Sequence, residues 1–370
     1  MDHPCVVVWI VLGSGLSRQM VITHNNPRNL LGLSNDDLEN LAEGLGQPRF
    51  RGRQLYEAIY KRRATDLQSI TNLNMVLRSE LAGEYQVAYP RVDGAFPSKD
   101  HAVRYLLRLE DSSSIETVYM PDETRTTLCL SSQVGCAVDC KFCFTALLGV
   151  KRNLTAGEMV GQVLAVAKAQ AMPHRARMNL VFMGMGEPLL NLPAVMKAVH
   201  ILADPNGMGV PLRRITISTA GIVPKIRELA LDPIRPKLAV SLNASTDEQR
   251  DAIMPINRKY PLAELLQACR DYPLRPREHL TFEYVMLDGI NDAVADARRA
   301  VKLLAGLKAK VNLIPYNGGP ELPYKSSPMR RVMAFQDILV ARDIPAYIRI
   351  SRGQDVRAAC GQLSLAGVRE

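Results

Sequence analysis

The chain has 370 residues, 47% hydrophobic and 22% charged, with a net charge of +9. This is ordinary for a globular protein and long enough for one large domain plus a smaller one. Its seven cysteines are odd in number and clustered, which excludes a disulfide framework and points to a reducing, cytoplasmic setting. The positive excess favours a polyanionic partner, nucleic acid above all. The one long apolar run, residues 5–13, is too short to span a bilayer and lacks a positively charged leader region, so no membrane association is expected. Residues 1–27 read as an N-terminal extension, disordered or arising from a misassigned start with Met20 as the initiator, although an N-terminal strand is equally compatible.

Residues 28–95 read as a small helical accessory domain. Ser34 and Asp37 form a capping-box-like start, and Leu38, Leu41 and Leu45 repeat at helical spacing. A second helix carries Leu55 and Ile59. Arg49, Arg51, Arg53, Lys61, Arg62 and Arg63 surround it, interleaved with Phe50, Tyr56 and Tyr60. Cations can neutralise phosphates and aromatic faces can stack on bases, so this stretch is a candidate RNA contact.

Residues 96–125 read as a β-hairpin extension. Val103, Tyr105 and Leu107 alternate, residues 111–114 turn, and Ile115 to Met120 alternate again. Glu116 shares a face with Val118 and Met120 there, and desolvation would raise its pKa towards that of a general base. From 126 to 370 the chain repeats strand and helix. Strands are expected at 126–132, 180–184, 214–218, 237–242, 280–286, 310–315 and 345–351, with helices at about 155–170 and 292–306 among those between them. Such alternation implies an α/β fold with a parallel sheet, and the units are too few for a full eightfold barrel.

Cys136, Cys140 and Cys143 stand within eight residues, with three and then two residues between them. A disulfide would strand one of them. Structural zinc takes four closed ligands, and no fourth lies nearby at finger spacing. Iron–sulfur clusters are held by cysteine thiolates, usually four, so three would leave one iron open to a small molecule. The expected strand ends add polar groups where parallel folds collect function: Gly184 to Pro188, Ser218-Thr219, Ser241-Leu242-Asn243 and Tyr316-Asn317. Cys129 and Cys360 lie outside the cluster, and nothing local predicts that they meet. Cys5 and Cys269 read as incidental.

The C-x3-C-x2-C spacing, Ser131 to Gly135, Phe144 to Ala146, Lys151 to Thr155, Phe182 to Pro188 and Cys360 to Leu363 together resemble the RlmN family, from about residue 28 to 366. These are radical S-adenosylmethionine (SAM) enzymes that methylate C2 of adenosine in 23S ribosomal RNA and in tRNA. The resemblance implies a partial (β/α)6-type, TIM-like barrel over residues 126–370. It implies a 4Fe–4S cluster on Cys136, Cys140 and Cys143, and SAM contacts at Gly186, Glu187, Ser218, Ser241, Leu242, Asn243 and Asn317, with Asn312 a weaker rival to Asn317. Many relatives carry His in place of Asn243, which keeps hydrogen bonding but removes a titrating group.

By the same resemblance two SAM molecules serve each turnover. One methylates Cys360; the other yields a 5′-deoxyadenosyl radical that takes hydrogen from the S-methyl group. The methylene radical adds to C2, Glu116 removes the C2 proton, and Cys129 attacks the sulfur linkage to release product, leaving a disulfide. Sulfur suits this role because it accepts a methyl group and is later resolved by a second thiol. The expected enzyme is a monomer served by an electron donor such as flavodoxin or ferredoxin. The competing readings are the related Cfr-type C8 methyltransferase and a non-catalytic RNA-binding iron–sulfur protein.

Overall fold

The structure, a computed structural model, describes residues 6–10, 19–23, 27–174 and 176–365. Most of the expected N-terminal extension and residues 366–370 lie outside these, but Val6–Ile10 does pair antiparallel with Gln19–Thr23. Ten strands build the main sheet: β1 (Arg91–Pro97), β2 (Val103–Arg108), β3 (Ser114–Pro121), β4 (Thr126–Cys129), β5 (Met178–Phe182), β6 (Ile215–Thr219), β7 (Lys237–Ser241), β8 (Leu280–Met286), β9 (Ala309–Pro315) and β10 (Ala346–Ile348). They lie side by side in chain order. β1 to β4 pair antiparallel, and β4 to β10 pair parallel.

Helices cross over between successive parallel strands, as parallel pairing requires: α4 (Ala156–Ala169), α5 (Leu192–Ala203), α6 (Val223–Ala230), α7 (Asp247–Ile253) with α8 (Leu262–Asp271), α9 (Val294–Leu304) and α10 (Met329–Val340). Six crossovers joining seven parallel strands make the expected partial barrel. Every expected parallel strand is present, several of them shorter by one to three residues at an end, where turns take over. β1 has no counterpart in the sequence reading, because its exposed, glycine- and proline-containing run lacks strand alternation.

The sheet needs its outer face covered, and α4 shows how. Its capping box is Thr155 with Glu158, as read from the sequence, and all of its residues from Ala156 to Ala167 except Glu158 are buried. The accessory unit packs on α4: a Cβ on Gly157 would lie 2.2 Å from the Leu31 carbonyl oxygen, so only glycine permits this backbone-to-backbone approach. In that unit, α1 (Asn35–Gly44) carries the expected Ser34–Asp37 capping box, α2 (Phe50–Tyr56) runs into a π turn at Glu57–Lys61, and α3 (Met75–Glu84) closes the unit.

The base-stacking reading of Tyr56 and Tyr60 does not hold. Both are 1% exposed, and their rings pack 4.7 Å apart. With Leu55 and Ile59 they form the apolar stripe of the helix, and only Phe50 of the three aromatics stays exposed. The cations are also mostly engaged locally. Arg49 pairs with Glu39 and Glu43, Arg51 donates to Gln54 and the Asn72 carbonyl, and Arg63 donates to the carbonyls of Met172 and Pro173.

Tyr60 Oη accepts from the Gly32 amide at 2.8 Å and donates to the Leu33 carbonyl at 2.8 Å. Tyr60→Phe strands both buried backbone groups and is expected to cost about 1–3 kcal/mol, read as a lower denaturation midpoint with unchanged RNA affinity. A loss of RNA affinity at unchanged stability would return this ring to the RNA interface.

Candidate active site

The cysteine loop hangs from a small antiparallel ladder, Gln133–Gly135 against Val150–Asn153. Gly135 has φ +83°, and a Cβ there would lie 1.8 Å from the Gly149 carbonyl oxygen, so this turn demands glycine. The Cys136 amide donates to the Gly149 carbonyl at 2.8 Å, the Lys141 amide to Ile253 at 2.9 Å and the Phe144 amide to Gly361 at 2.8 Å. Upstream, Ser131 is tied by Gln162, which accepts from its amide and donates to its carbonyl, and the Ser131 hydroxyl donates to the Glu116 carbonyl.

Cys136, Cys140 and Cys143 are all free thiols lining one cavity of about 180 Å³ at the carboxyl ends of the parallel strands. Burial pushes all three thiols up, Cys136 to about 12. Among the described residues, no three His, Cys, Asp or Glu side chains converge on a single metal ion. A cluster does not require convergence, because each cysteine binds a different iron. The same wall carries Tyr316, whose buried hydroxyl has no hydrogen-bond partner among the described residues. Three separated thiols, a carboxylate and an orphaned hydroxyl around one cavity fit a cluster with a polar ligand.

The cavity is also lined by Gly186, Glu187, Ser218, Ser241, Asn243, Asn317 and Cys360. The sequence reading therefore gathered side chains from β5, β6, β7, β9 and the C-terminal segment onto one wall. Glu187 accepts from the amides of Leu189 at 3.0 Å and Ala220 at 2.7 Å, while burial pushes its carboxyl up to about 7. Asn317 donates to Ser351 at 2.9 Å and accepts from Gln354 at 2.9 Å, fixing the segment that carries Cys360.

Two of the expected contacts also have structural roles. Leu242 is fully buried behind the wall and acts through its backbone, its amide donating to the Glu283 carbonyl at 2.9 Å. Asn243 sits at φ +54°, a left-handed conformation that Asn adopts more readily than most residues. Its side chain accepts from the Val285 amide at 2.8 Å and donates to the Met254 sulfur at 3.1 Å, so it bridges β7 and β8 as well as facing the cavity.

Cys129 and Cys360 do meet. Both line an adjoining cavity of about 110 Å³ with Cys143 and Met183. Cys129 is buried and its thiol lies far above its ordinary value, through burial and then through Cys360. Cys360 is exposed as a residue, while burial of its thiol against the surrounding protein pushes it up to about 11. Glu116 lines neither cavity. It is fully buried on the hairpin, ion-paired with Arg104, and its second oxygen accepts from the amides of Ser364 at 3.0 Å and Leu365 at 3.3 Å. Burial pushes its carboxyl up, against the pull of Arg104.

Sequence reasoning missed Glu283, Arg250 and Gln162. Glu283 carried the same signal as Glu116, a lone carboxylate in an apolar strand. Arg250 and Gln162 carried none, because polar residues on helices ordinarily face water. Arg250 is 0% exposed and donates to the carbonyls of Ala220 (2.7 Å), Ser241 (2.9 Å) and Leu242 (3.1 Å) and to Asn257 (3.2 Å). It thus stitches the ends of β6 and β7 from beneath. Arg250→Met leaves these buried acceptors without their donor and is expected to lower stability by about 3 kcal/mol or more, measured by denaturant unfolding; an unchanged midpoint would show that the strand ends hold without it.

Comparison with known proteins places this geometry. The Radical SAM superfamily matches residues 130–301, and the ribosomal RNA large subunit methyltransferase N-terminal domain matches residues 28–87. The chain is 50% identical over 338 residues to a protein of Koribacter versatilis named "Probable dual-specificity RNA methyltransferase RlmN", covering 87% of this chain and 97% of that one. It is 45% identical over 359 residues to the dual-specificity RNA methyltransferase RlmN of Anaeromyxobacter sp. strain Fw109-5, covering 94% and 95%. The crystal structure of a radical SAM methyltransferase from Sphaerobacter thermophilus superposes with a TM-score of 0.86 at 45% identity, covering 91% of this chain and 99% of that one. On the strength of both the fold and these relatives, the chain belongs to the RlmN family of radical-SAM methyltransferases.

Proposed function

We propose that this enzyme methylates C2 of adenosine in 23S ribosomal RNA and in tRNA. The observation that carries the reading is the joining of two thiol sets, Cys136, Cys140 and Cys143 with Cys129 and Cys360, in adjoining cavities at the carboxyl ends of the sheet. Cys136, Cys140 and Cys143 would hold the 4Fe–4S cluster, and Glu187, Ser218, Ser241, Asn243 and Asn317 would hold SAM. When bound, the cluster and SAM supply one-electron chemistry and the methyl group.

The chain's own residues do the rest. Cys360 is the exposed residue of the two outlying cysteines, and is the residue that carries the methyl group to the base. Cys129 lies behind it and resolves the thioether linkage between Cys360 and the RNA by thiol attack, leaving a disulfide that an external reductant must reopen. Glu116 accepts the C2 proton, which requires residues 364–365 to release its carboxylate first. The protein works as a monomer with an electron donor such as flavodoxin or ferredoxin. The target base must leave its stack to reach a cavity this enclosed.

The test uses anaerobically reconstituted enzyme with SAM, reductant and an RNA fragment, the product being compared with C2- and C8-methyladenosine standards by mass spectrometry. C2-methyladenosine is expected, and C8-methyladenosine would overturn the choice of atom. Cys360→Ala is expected to abolish methylation while keeping the visible absorbance of the cluster; turnover in that variant would remove Cys360 from the reaction. Cys129→Ala is expected to accumulate a covalent RNA–protein adduct visible on a denaturing gel, and release of free methylated RNA would show that another group resolves it.

A further inference from the structure

Of the six cations around α2, five have local partners: Arg53 pairs with Glu39 and Arg62 donates to Asn72, in addition to Arg49, Arg51 and Arg63. The Lys61 ammonium has none among the described residues. It lines a cleft of about 410 Å³ between the accessory unit and the amino ends of β5 and β6, together with Arg63, His174, Arg177 and Arg214. Arg177 and Arg214 immediately precede the first residues of those strands, and their guanidinium groups are also without partners among the described residues. No carboxylate lines the cleft, among the described residues. This departs from the rest of the surface, where Arg49, Arg108, Arg152 and Arg331 each hold a carboxylate within 2.8 Å.

The frame of the cleft is fixed. Arg63 donates to the carbonyls of Met172 at 2.8 Å and Pro173 at 3.2 Å, and the His174 ring donates through Nδ1 to the Lys61 carbonyl at 3.2 Å. A concave site lined by cations without counter-charges focuses positive potential and attracts an anion. The cleft is also remote from the chemistry. Met178 at the start of β5 lines it, while Phe182 at the end of the same strand lines the main cavity. At about 3.3 Å per residue, the two ends lie roughly 13 Å apart, so an anion bound here touches no reacting atom. Resting on the reading of RNA as the substrate, we infer that this cleft grips phosphates of the RNA backbone at a point remote from the target base. Phosphates repeat along the whole chain, so backbone some way from the target base reaches this second face. Such contacts set register and orientation and carry no sequence information, which suits an enzyme acting on two classes of RNA.

The test measures binding of reconstituted holoenzyme to an unmodified tRNA transcript and to a 23S ribosomal RNA fragment across a salt series. The double variant Arg177→Gln, Arg214→Gln is expected to weaken both RNAs roughly 10-fold at low salt and to lower the slope of log affinity against log salt by roughly 1 to 2. KM for RNA is expected to rise while kcat at saturating RNA stays unchanged, because the lost contacts hold ground state and transition state alike. Cluster absorbance and the unfolding midpoint serve as controls. If the double variant does not fold, Lys61→Gln replaces it, with a smaller loss and a slope lowered by about 1. Affinity within twofold of wild type with an unchanged slope, or a loss confined to one of the two RNAs, would overturn the inference. Binding of tripolyphosphate to wild type alone, with RNA affinity equal in both proteins, would overturn it too and assign the cleft to a free phosphorylated molecule. A wild-type holoenzyme that binds neither RNA would instead overturn the proposed function.

Discussion

A short loop without regular structure must hold three thiols in fixed places, and everything around it answers to that constraint. From Cys136 to Cys143 the loop has few internal backbone bonds of its own, and a 3-10 turn follows only at Phe144–Leu148. It is fixed from three directions: by the ladder at its base, by the end of α7 through Ile253, and by the C-terminal segment through Gly361. Each tie comes from a different part of the chain, so the loop's shape depends on the barrel being complete. Burial then raises the thiols and favours the neutral form until a cation arrives.

The hairpin β1–β3 is part of the same device. It continues the barrel sheet, with Val118 opposite Cys129, and gives the C-terminal segment a place to rest. Asp355 accepts from Ser98 and from the Lys99 amide, Arg352 reaches the carbonyls of Asp100 and Pro121, and Arg104 reaches the carbonyl of Val356. These contacts set the path of residues 352–360 and thereby deliver Cys360 to the cavity that Cys129 lines from β4. Its position is thus a sum of side-chain bonds to the hairpin and to Asn317, past the end of β9.

Much of this was legible in the sequence because it obeys periodic rules. Alternation of apolar strands and amphipathic helices exposed the barrel, and the capping boxes at Ser34 and Thr155 were readable from four residues each. The cysteine spacing announced a metal centre because no packing rule asks for three cysteines in eight residues. What stayed hidden is tertiary. A tyrosine beside arginines reads as an RNA contact until the fold shows Tyr60 buried and bonded to Gly32 and Leu33. Asn243 reads only as a ligand residue, and its left-handed backbone and its bonds to Val285 and Met254 add a second role, that of a bridge between the ends of two strands. Arg250 has no sequence signature, since only the burial of α7 against the strand ends turns a helix arginine into a clasp for three carbonyls.

The chain-order sheet has a consequence for how the molecule comes into being. Each strand pairs with the one made before it, so the barrel can assemble progressively from local contacts as the chain lengthens. The C-terminal segment breaks this pattern, because its partners Ser98, Asp100, Arg104 and Glu116 lie some 250 positions earlier. Those contacts cannot form until the whole sheet has been made. The tie of the cysteine loop through Gly361 and the pair formed by Cys129 and Cys360 both wait for this segment, so reactivity is the final property the folding chain acquires.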